Sequence, residues 1–339
     1  MPPSSSVPEQ VAQAAERLAG AAVAAVEEVR KGGNSRVFRV TTAAGAFALK
    51  KYPPTDRRDR QGAEARALAF FARAGIAQTP RLVAADYAAR ISLLSWLAGA
   101  AMPQLTDADI AQFAAFQVDL DRAIDARARD EIGPAAEACV SGARILAHTR
   151  SRYARLAAVG ERMPELHAFL QSRFLPTLTA AEQRARRTYD ELALDFAADR
   201  PAAAQTLIAS DFGAHNALRG ADGRVSFLDF EYFGWDDPLT SIGNFVLHPG
   251  MELTTSQRAV YQDAILAHFG TTHAQRLSAL LPLYALRWCA IILSDLLPER
   301  LAHRSAANAR IGDQHAVMVR QLVIAHRVLD RLQPDPHSR

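Results

Sequence analysis

Three side chains carry the strongest chemical signal in this sequence. Asp211, Asn216 and Asp229 stand in Asp211-Phe-Gly-Ala-His-Asn216 and Phe227-Leu-Asp229-Phe-Glu231. An aspartate, an asparagine five residues on, and a second aspartate after the next turn are the groups with which phosphoryl transfer from ATP orients a hydroxyl and holds metal ions. An Asp-x4-Asn pair alone is weak, because both residues are frequent in turns and caps. Strand-like runs at 205–208 and 224–228 strengthen it. They precede the two motifs and are connected through the turn Gly220-Ala-Asp-Gly223, so both acidic groups leave strand ends toward a common cleft.

Lysine adds an independent signal. The chain has 39 Lys and Arg, of which only Lys31, Lys50 and Lys51 are lysine. Lys50 ends the strand-like Gly45-Ala-Phe-Ala-Leu-Lys50, and Glu64 follows 14 residues later in the helical stretch Gly62-Ala-Glu-Ala-Arg-Ala-Leu-Ala-Phe-Phe71. Such a pair suits a phosphate-contacting ammonium aimed by a carboxylate, although most charges of this kind are merely solvated. Ahead of it, Lys31-Gly-Gly-Asn-Ser-Arg36 joins strand-like runs at 26–30 and 37–41. Its amides and the side chains of Asn34 and Ser35 suit a phosphate cap. Neither G-x-G-x-x-G nor G-x-x-x-x-G-K-[ST] is present, so a plain hairpin turn is an equal reading.

Taken in order, these residues resemble the aminoglycoside phosphotransferase and choline kinase-like superfamily of small-molecule kinases, over roughly residues 22–300. The strongest part is Leu207-Ile-Ala-Ser-Asp211-Phe-Gly-Ala-His-Asn216-Ala-Leu followed by Phe227-Leu-Asp-Phe-Glu-Tyr-Phe-Gly-Trp-Asp-Asp-Pro238. Leu49-Lys50, Glu64 with Ala67-Leu68, and Leu93-Leu-Ser-Trp-Leu-Ala-Gly99 add to it. The resemblance implies an α+β, protein-kinase-like two-lobed fold with ATP and Mg2+ as cofactors. Asp211 would be the catalytic residue, Asn216 and Asp229 the metal ligands, and Lys50, aimed by Glu64, the phosphate contact. Gly33, Asn34 and Ser35 would belong to the phosphate loop, and Ser95, Trp96 and Leu97 to the hinge under the adenine. Two positions depart from the family pattern. Ala209-Ser210 replaces the usual His-Gly before the catalytic aspartate, and the aspartate often found a turn after Asp-Pro is missing, leaving Ser241 or Asn244 to supply its hydrogen bonds.

Periodicity predicts the elements that would position these groups. A helix at 8–25 precedes three strands around the Gly-Gly turn and Lys50; a helix at 56–74 and strands at 80–86 and 90–95 complete an antiparallel five-stranded sheet with one main helix. The remainder reads as mostly helix, at 107–127, 135–158, 164–173, 178–198, 256–269, 274–297 and 306–332. This places a nucleotide-binding lobe at 1–96 and a helical lobe with the catalytic loop and acceptor site at 97–339. The ends, 1–7 and 333–339, are expected to fray.

Composition fits a soluble enzyme. With 339 residues, 49% of them hydrophobic, the chain can bury a large core. Two isolated cysteines, Cys139 and Cys289, form neither a disulfide framework nor a metal motif, which points to the cytoplasm. Residues 1–96 carry 14 basic and 8 acidic side chains, against 25 and 28 in 97–339, which suits a positive field around ATP. The arginines are scattered without aromatic interleaving, so no nucleic acid partner is expected. The apolar run 280–297 is interrupted by Arg287 and Asp295 and reads as a buried helix, with no membrane partner. Oligomeric state cannot be read from the residues.

The expected activity is Mg-dependent transfer of the ATP γ-phosphate to a hydroxyl of a small molecule: a sugar, polyol or amino alcohol. Candidate acceptor contacts are Glu231, Asp236, Arg287, Trp288 and Asp295; a structural role for Trp288 and an internal Arg287–Asp295 ion pair are the plainer alternatives. Aminoglycosides, being polycations, would need the acidic residues Asp236, Asp237, Asp295 and Glu299, and Arg287 opposes them. A protein kinase is disfavoured, because Asp229-Phe-Glu replaces Asp-Phe-Gly and only eight residues separate Asp229 from Asp237. The alternative is a non-catalytic nucleotide-binding or scaffold protein of the same fold.

Overall fold

The computed structural model describes residues 7–31, 35–54, 58–300 and 314–332. Gly33 and Asn34, the expected helical residues 306–313, and the expected frayed ends apart from Val7 lie outside the described residues. The chain forms two compact units. One comprises Met1–Leu105, Arg122–Ala136 and Ala209–Gly234, the other Thr106–Asp121, Glu137–Ile208 and Trp235–Arg339.

The first unit begins with helix α1 (Val7–Ala19) and strands β1 (Val23–Lys31), β2 (Arg36–Thr42) and β3 (Gly45–Lys51). Helix α2 (Arg60–Arg73) and strands β4 (Leu82–Asp86) and β5 (Ile91–Ser95) follow. The sheet runs β1-β2-β3-β5-β4, with every neighbouring pair antiparallel. The first helix is shorter than its alanine content suggests. Gly20 turns the chain at φ 64, a conformation costly for other residues, and the alanines beyond it enter β1.

Strand alternation decides which face each side chain takes. Phe38 lies opposite Leu49, and Leu49 opposite Leu93; with Val40 and Ile91 they form a core closed by Val11, Ala14 and Ala15 of α1. Lys50 follows Leu49 and pairs in register with Val37 and Ser92, so it projects from the other face. Asp59 caps α2 by accepting from the Gly62 amide at 2.9 Å. Its buried side presents Glu64, Ala67, Leu68, Phe70 and Phe71.

A three-stranded sheet of Ala100–Ala101, Ala217–Arg219 and Val225–Phe227 carries the second half of the expected site. Beyond it, the Phe230 and Phe233 rings meet Phe71 edge-on at 4.6 and 5.1 Å. Gly234 then passes so close to the 133–135 backbone that a Cβ would lie 2.5 Å from both Gly133 O and Ala135 N. Backbone cannot yield as a flexible side chain would. Gly234→Ala is expected to cost about 1–3 kcal/mol, the range for overpacking, read as a lowered melting temperature.

In the second unit, helices run over Gly142–Gly160, Leu175–Glu191, Pro238–Val246, Thr255–Phe269, Ala274–Leu293 and Gln314–Asp330. The expected helix at 135–158 starts late because Glu137 has a left-handed backbone (φ 59) and Ser141 supplies the cap. The segments 164–173 and 178–198 merge: Pro164–Phe169 passes through a π-turn at Leu170–Phe174 into Leu175–Glu191. Pro238–Val246 is a helix that hydrophobic periodicity does not reveal, since every residue in it is buried. Its signal is the start, an Asp237 cap followed by proline.

Ala274–Leu293 packs against Gly142–Gly160, Leu175–Glu191 and Gln314–Asp330. Among the described residues, Thr271–Leu296 is the one stretch long and apolar enough to cross a membrane, but 67% of its apolar window is buried inside the protein. A core helix with neighbours on several sides meets the same criteria, as the sequence led us to expect.

Candidate active site

Lys50 is the centre of a buried ionic cluster. Its Nζ lies 2.8 Å from Glu64 Oε2, 2.6 Å from Asp229 Oδ1 and 3.4 Å from Glu231 Oε2. Burial works to discharge the ammonium, but the Glu64 and Asp229 carboxylates, with Glu231, hold it well above the ordinary lysine value. The Lys50–Glu64 pair suggested by the sequence is therefore present. Glu64 is fixed from three directions, accepting from Lys50 and the Tyr52 hydroxyl at Oε2 and from the Phe230 amide at Oε1, 3.0 Å.

Asp229 has φ 68, a left-handed conformation that aspartate tolerates better than most residues. Both flanking amides are pinned: Leu228 N donates to Asn216 O at 2.8 Å and Phe230 N to Glu64. Asn216, 2% exposed, donates through Nδ2 to Asp211 O at 3.0 Å, which fixes which end of its amide is oxygen. Asn216 and Asp229 thus contribute hard oxygen donors of the kind Mg2+ prefers. The carboxylate of Asp211 remains partly exposed and lies 3.1 Å from His215 Nε2.

Two local contacts hold the loop that carries Ala209-Ser210 in place of His-Gly. The Asn216 amide ties the loop to the Asp211 carbonyl, and the Phe212 ring packs on Phe227 at 5.1 Å. At the second departure, Ser241 Oγ donates to Pro238 O at 2.7 Å, while Asn244 Oδ1 accepts from Arg287.

Lys50, Glu64, Asp211 and Asp229 line one cavity of about 490 Å3, within the range of ligand pockets, while Asn216, between Asp211 and Ala217 in sequence, is buried behind its wall and is not part of the lining. Val37, Ala48 and Leu94 supply apolar walls, Ser95, Trp96 and Leu97 line it as the segment expected to be the hinge, and Ser35, Lys50, Glu64, Asp211 and Asp229 give the polar lining. Ser35 is 9% exposed and donates to Glu231 Oε2 at 3.1 Å. His215 also lines the cavity. It has no role among the expectations from sequence, although a histidine four residues after Asp211 and next to Asn216 is a readable signal.

The five candidate acceptor contacts have internal partners. Glu231 pairs with Arg60 and lies beside Lys50; burial raises its carboxyl pKa, while Lys50 and Arg60 oppose the shift. Arg287 pairs with Glu137 and Asn244, whereas Asp295 accepts from Gln321 at 2.7 Å, so the expected Arg287–Asp295 pair is replaced by two separate contacts. Trp288 is 9% exposed and meets His248 edge-on. Asp237 is buried and pairs with Arg276, whereas Glu299 is exposed and meets Arg155 at the surface.

Asp236 is fully buried, and its Oδ1 accepts from Cys139 N, Asp237 N and Thr240 Oγ1 at 2.8, 2.7 and 3.2 Å. Burial pushes its pKa up from 3.8 to about 7, against the pull of the two amides. A carboxyl with a raised native pKa holds its proton in the folded state after the unfolded chain has released it. Its contribution therefore favours folding at low pH and is lost as pH rises from about 4 through 7. Asp236→Asn keeps the Oδ1 acceptor and removes the ionisation. Relative to this variant, the wild type is expected to lose roughly 2–3 kcal/mol of unfolding free energy between pH 5 and 8, measured by denaturant titration.

A model of the phosphotransferase enzyme family matches residues 25–280. The chain belongs to that family and is a phosphotransferase. No match was found among curated proteins. Among solved structures, choline kinase LicA from Streptococcus pneumoniae aligns with a TM-score of 0.60 and 13% identity, covering 95% of this chain and 98% of that one. A spectinomycin phosphotransferase aligns with 0.59 and 11%, covering 94% and 98%. Macrolide 2′-phosphotransferase MphH from Brachybacterium faecium gives 0.57 and 17%, covering 90% and 99%. The likeness to all three is one of fold, the α+β protein-kinase-like fold expected from the sequence.

Proposed function

We propose that this protein transfers the γ-phosphate of ATP, with Mg2+, to a hydroxyl of a small molecule such as a sugar, polyol or amino alcohol. The observation that carries this reading is a single cavity lined by Lys50, Asp211, Asp229 and the 95–97 hinge segment. Nucleotide would place its base along the hinge and its phosphates at Lys50. Asn216 and Asp229 would hold Mg2+, which would neutralise charge on the phosphates. Asp211 accepts a hydrogen bond from the acceptor hydroxyl and aims its oxygen at the γ-phosphorus; the new P–O bond forms as the bond to ADP breaks. The hydroxyl proton passes to Asp211 and then to solvent.

Named structural neighbours acting on choline, a macrolide and spectinomycin support a small-molecule acceptor. The buried pairing of Asp237 with Arg276 removes one of the acidic groups that a polycationic aminoglycoside would need. The test is Mg-dependent ATP consumption against sugars, polyols, amino alcohols and aminoglycosides, with Asp229→Ala as the blank. An acceptor that drives turnover only in the wild type supports the reading and gives the substrate class. Nucleotide binding without turnover on any acceptor favours a binding module, and absence of nucleotide binding overturns the reading.

A further inference from the structure

A second, smaller cavity of about 260 Å3 opens at the start of α2, with Tyr52, Arg58, Asp59, Arg60, Tyr87 and Arg90 among its lining. Among the described residues, its lining holds three arginines and one aspartate, with Arg60 also paired to Glu231. The aspartate is committed elsewhere, since Asp59 caps the helix at the Gly62 amide and pairs with Arg66. The arginines are held in place: Arg90 donates to Pro53 O at 2.9 Å, and Arg58 and Arg60 lie over the Tyr232 ring at 5.8 and 4.8 Å. The positive end of the 14-residue helix α2 adds to the same field. Anchored arginines with flanking tyrosines suit an oxyanion with several acceptor oxygens and a modest organic body.

We infer that this cavity binds the phosphate group of a small ligand, free or as a monoester, and that binding there weakens binding of nucleotide. The link is Arg60. It is buried and bonds Glu231 Oε1, while Glu231 Oε2 takes the Ser35 hydroxyl and lies 3.4 Å from Lys50 Nζ. A phosphate that draws on Arg60 competes with Glu231 for it. Glu231 then turns its charge toward Lys50, the group assigned above to the ATP phosphates. The coupling rests on that assignment; the phosphate site does not.

Calorimetric titration of glycerol 3-phosphate and, separately, inorganic phosphate into the full chain tests both parts. The nucleotide pocket is first left empty, then saturated with a non-hydrolysable ATP analogue and Mg2+. Glycerol 3-phosphate is expected to bind in both states, with affinity lowered roughly 10–100-fold by Arg58→Ala or Arg90→Ala, the scale of one charged hydrogen bond. Melting temperatures close to wild type show that the variants are folded. Tighter binding of the ester assigns the site to phosphomonoesters, and equal binding assigns it to free phosphate. No binding, binding abolished by the analogue, or binding unchanged in both variants overturns the site. By reciprocity, phosphate ligand at a fixed concentration that fills the wild-type site should raise the analogue's dissociation constant several-fold in the wild type and less in Arg58→Ala, whose site is less occupied. An unchanged constant overturns the coupling. If the analogue itself does not bind, the proposed function fails while the phosphate titration still decides the site.

Discussion

Asp229→Ala is expected to lower turnover by on the order of 10²-fold or more and to weaken Mg-dependent nucleotide binding with it. Two separate consequences of the substitution must be distinguished. The first is electrostatic, because Asp229 is the carboxylate closest to Lys50, at 2.6 Å, and is a proposed metal ligand. Lys50 keeps Glu64 at 2.8 Å and Glu231 at 3.4 Å, so it remains paired and the cluster survives. The second is conformational. At φ 68 an alanine is strained by about 1–2 kcal/mol, whereas asparagine accepts this region as aspartate does. Asp229→Asn should therefore melt close to wild type yet share the loss of turnover; Asp229→Ala should lose both. Steady-state kinetics beside thermal melting separates the two. Wild-type turnover in a folded Asp229→Asn protein would remove this carboxylate from the chemistry.

Much of the cluster was legible because its members are tied to local patterns. A scarce lysine at the end of a strand, a glutamate on the next helix, and two aspartates after strand-turn signals all have short-range signatures. Their convergence follows from the register that places Lys50 opposite Val37 and Ser92. Other features depend on contacts between residues far apart in sequence. The Arg60–Glu231 pair spans 171 residues and has no local signature. The left-handed Asp229 is imposed by amides bonding to Asn216 and Glu64, partners that the motif alone does not name. The expected Arg287–Asp295 pair is absent for a related reason. Spacing of Arg287 and Asp295 along one helix suggested a pair, but Glu137, Asn244 and Gln321 compete for them from elsewhere. Element ends were lost where alanine is plentiful, since alanine favours a helix on either side of Gly20 and only the glycine's backbone breaks it.

Asp211→Asn is expected to reduce kcat by at least about 10²-fold while changing the nucleotide dissociation constant by no more than about twofold. Asp211 offers its backbone and its side chain to separate partners. Its carbonyl, a backbone group that the substitution leaves in place, anchors the Asn216 amide at 3.0 Å, so metal-ligand geometry should persist. Its side chain is 35% exposed and lies 3.1 Å from His215 Nε2. Asparagine can keep a hydrogen bond to that imidazole through its own carbonyl oxygen. What is lost is the negative charge that orients the acceptor hydroxyl and receives its proton, a group used in the chemical step and not in nucleotide binding. A fall in kcat with nucleotide affinity intact is the signature of that loss. Parallel losses of both would instead mark Asp211 as a support of the loop, and His215→Ala, which leaves the carboxylate in place, should then reproduce them.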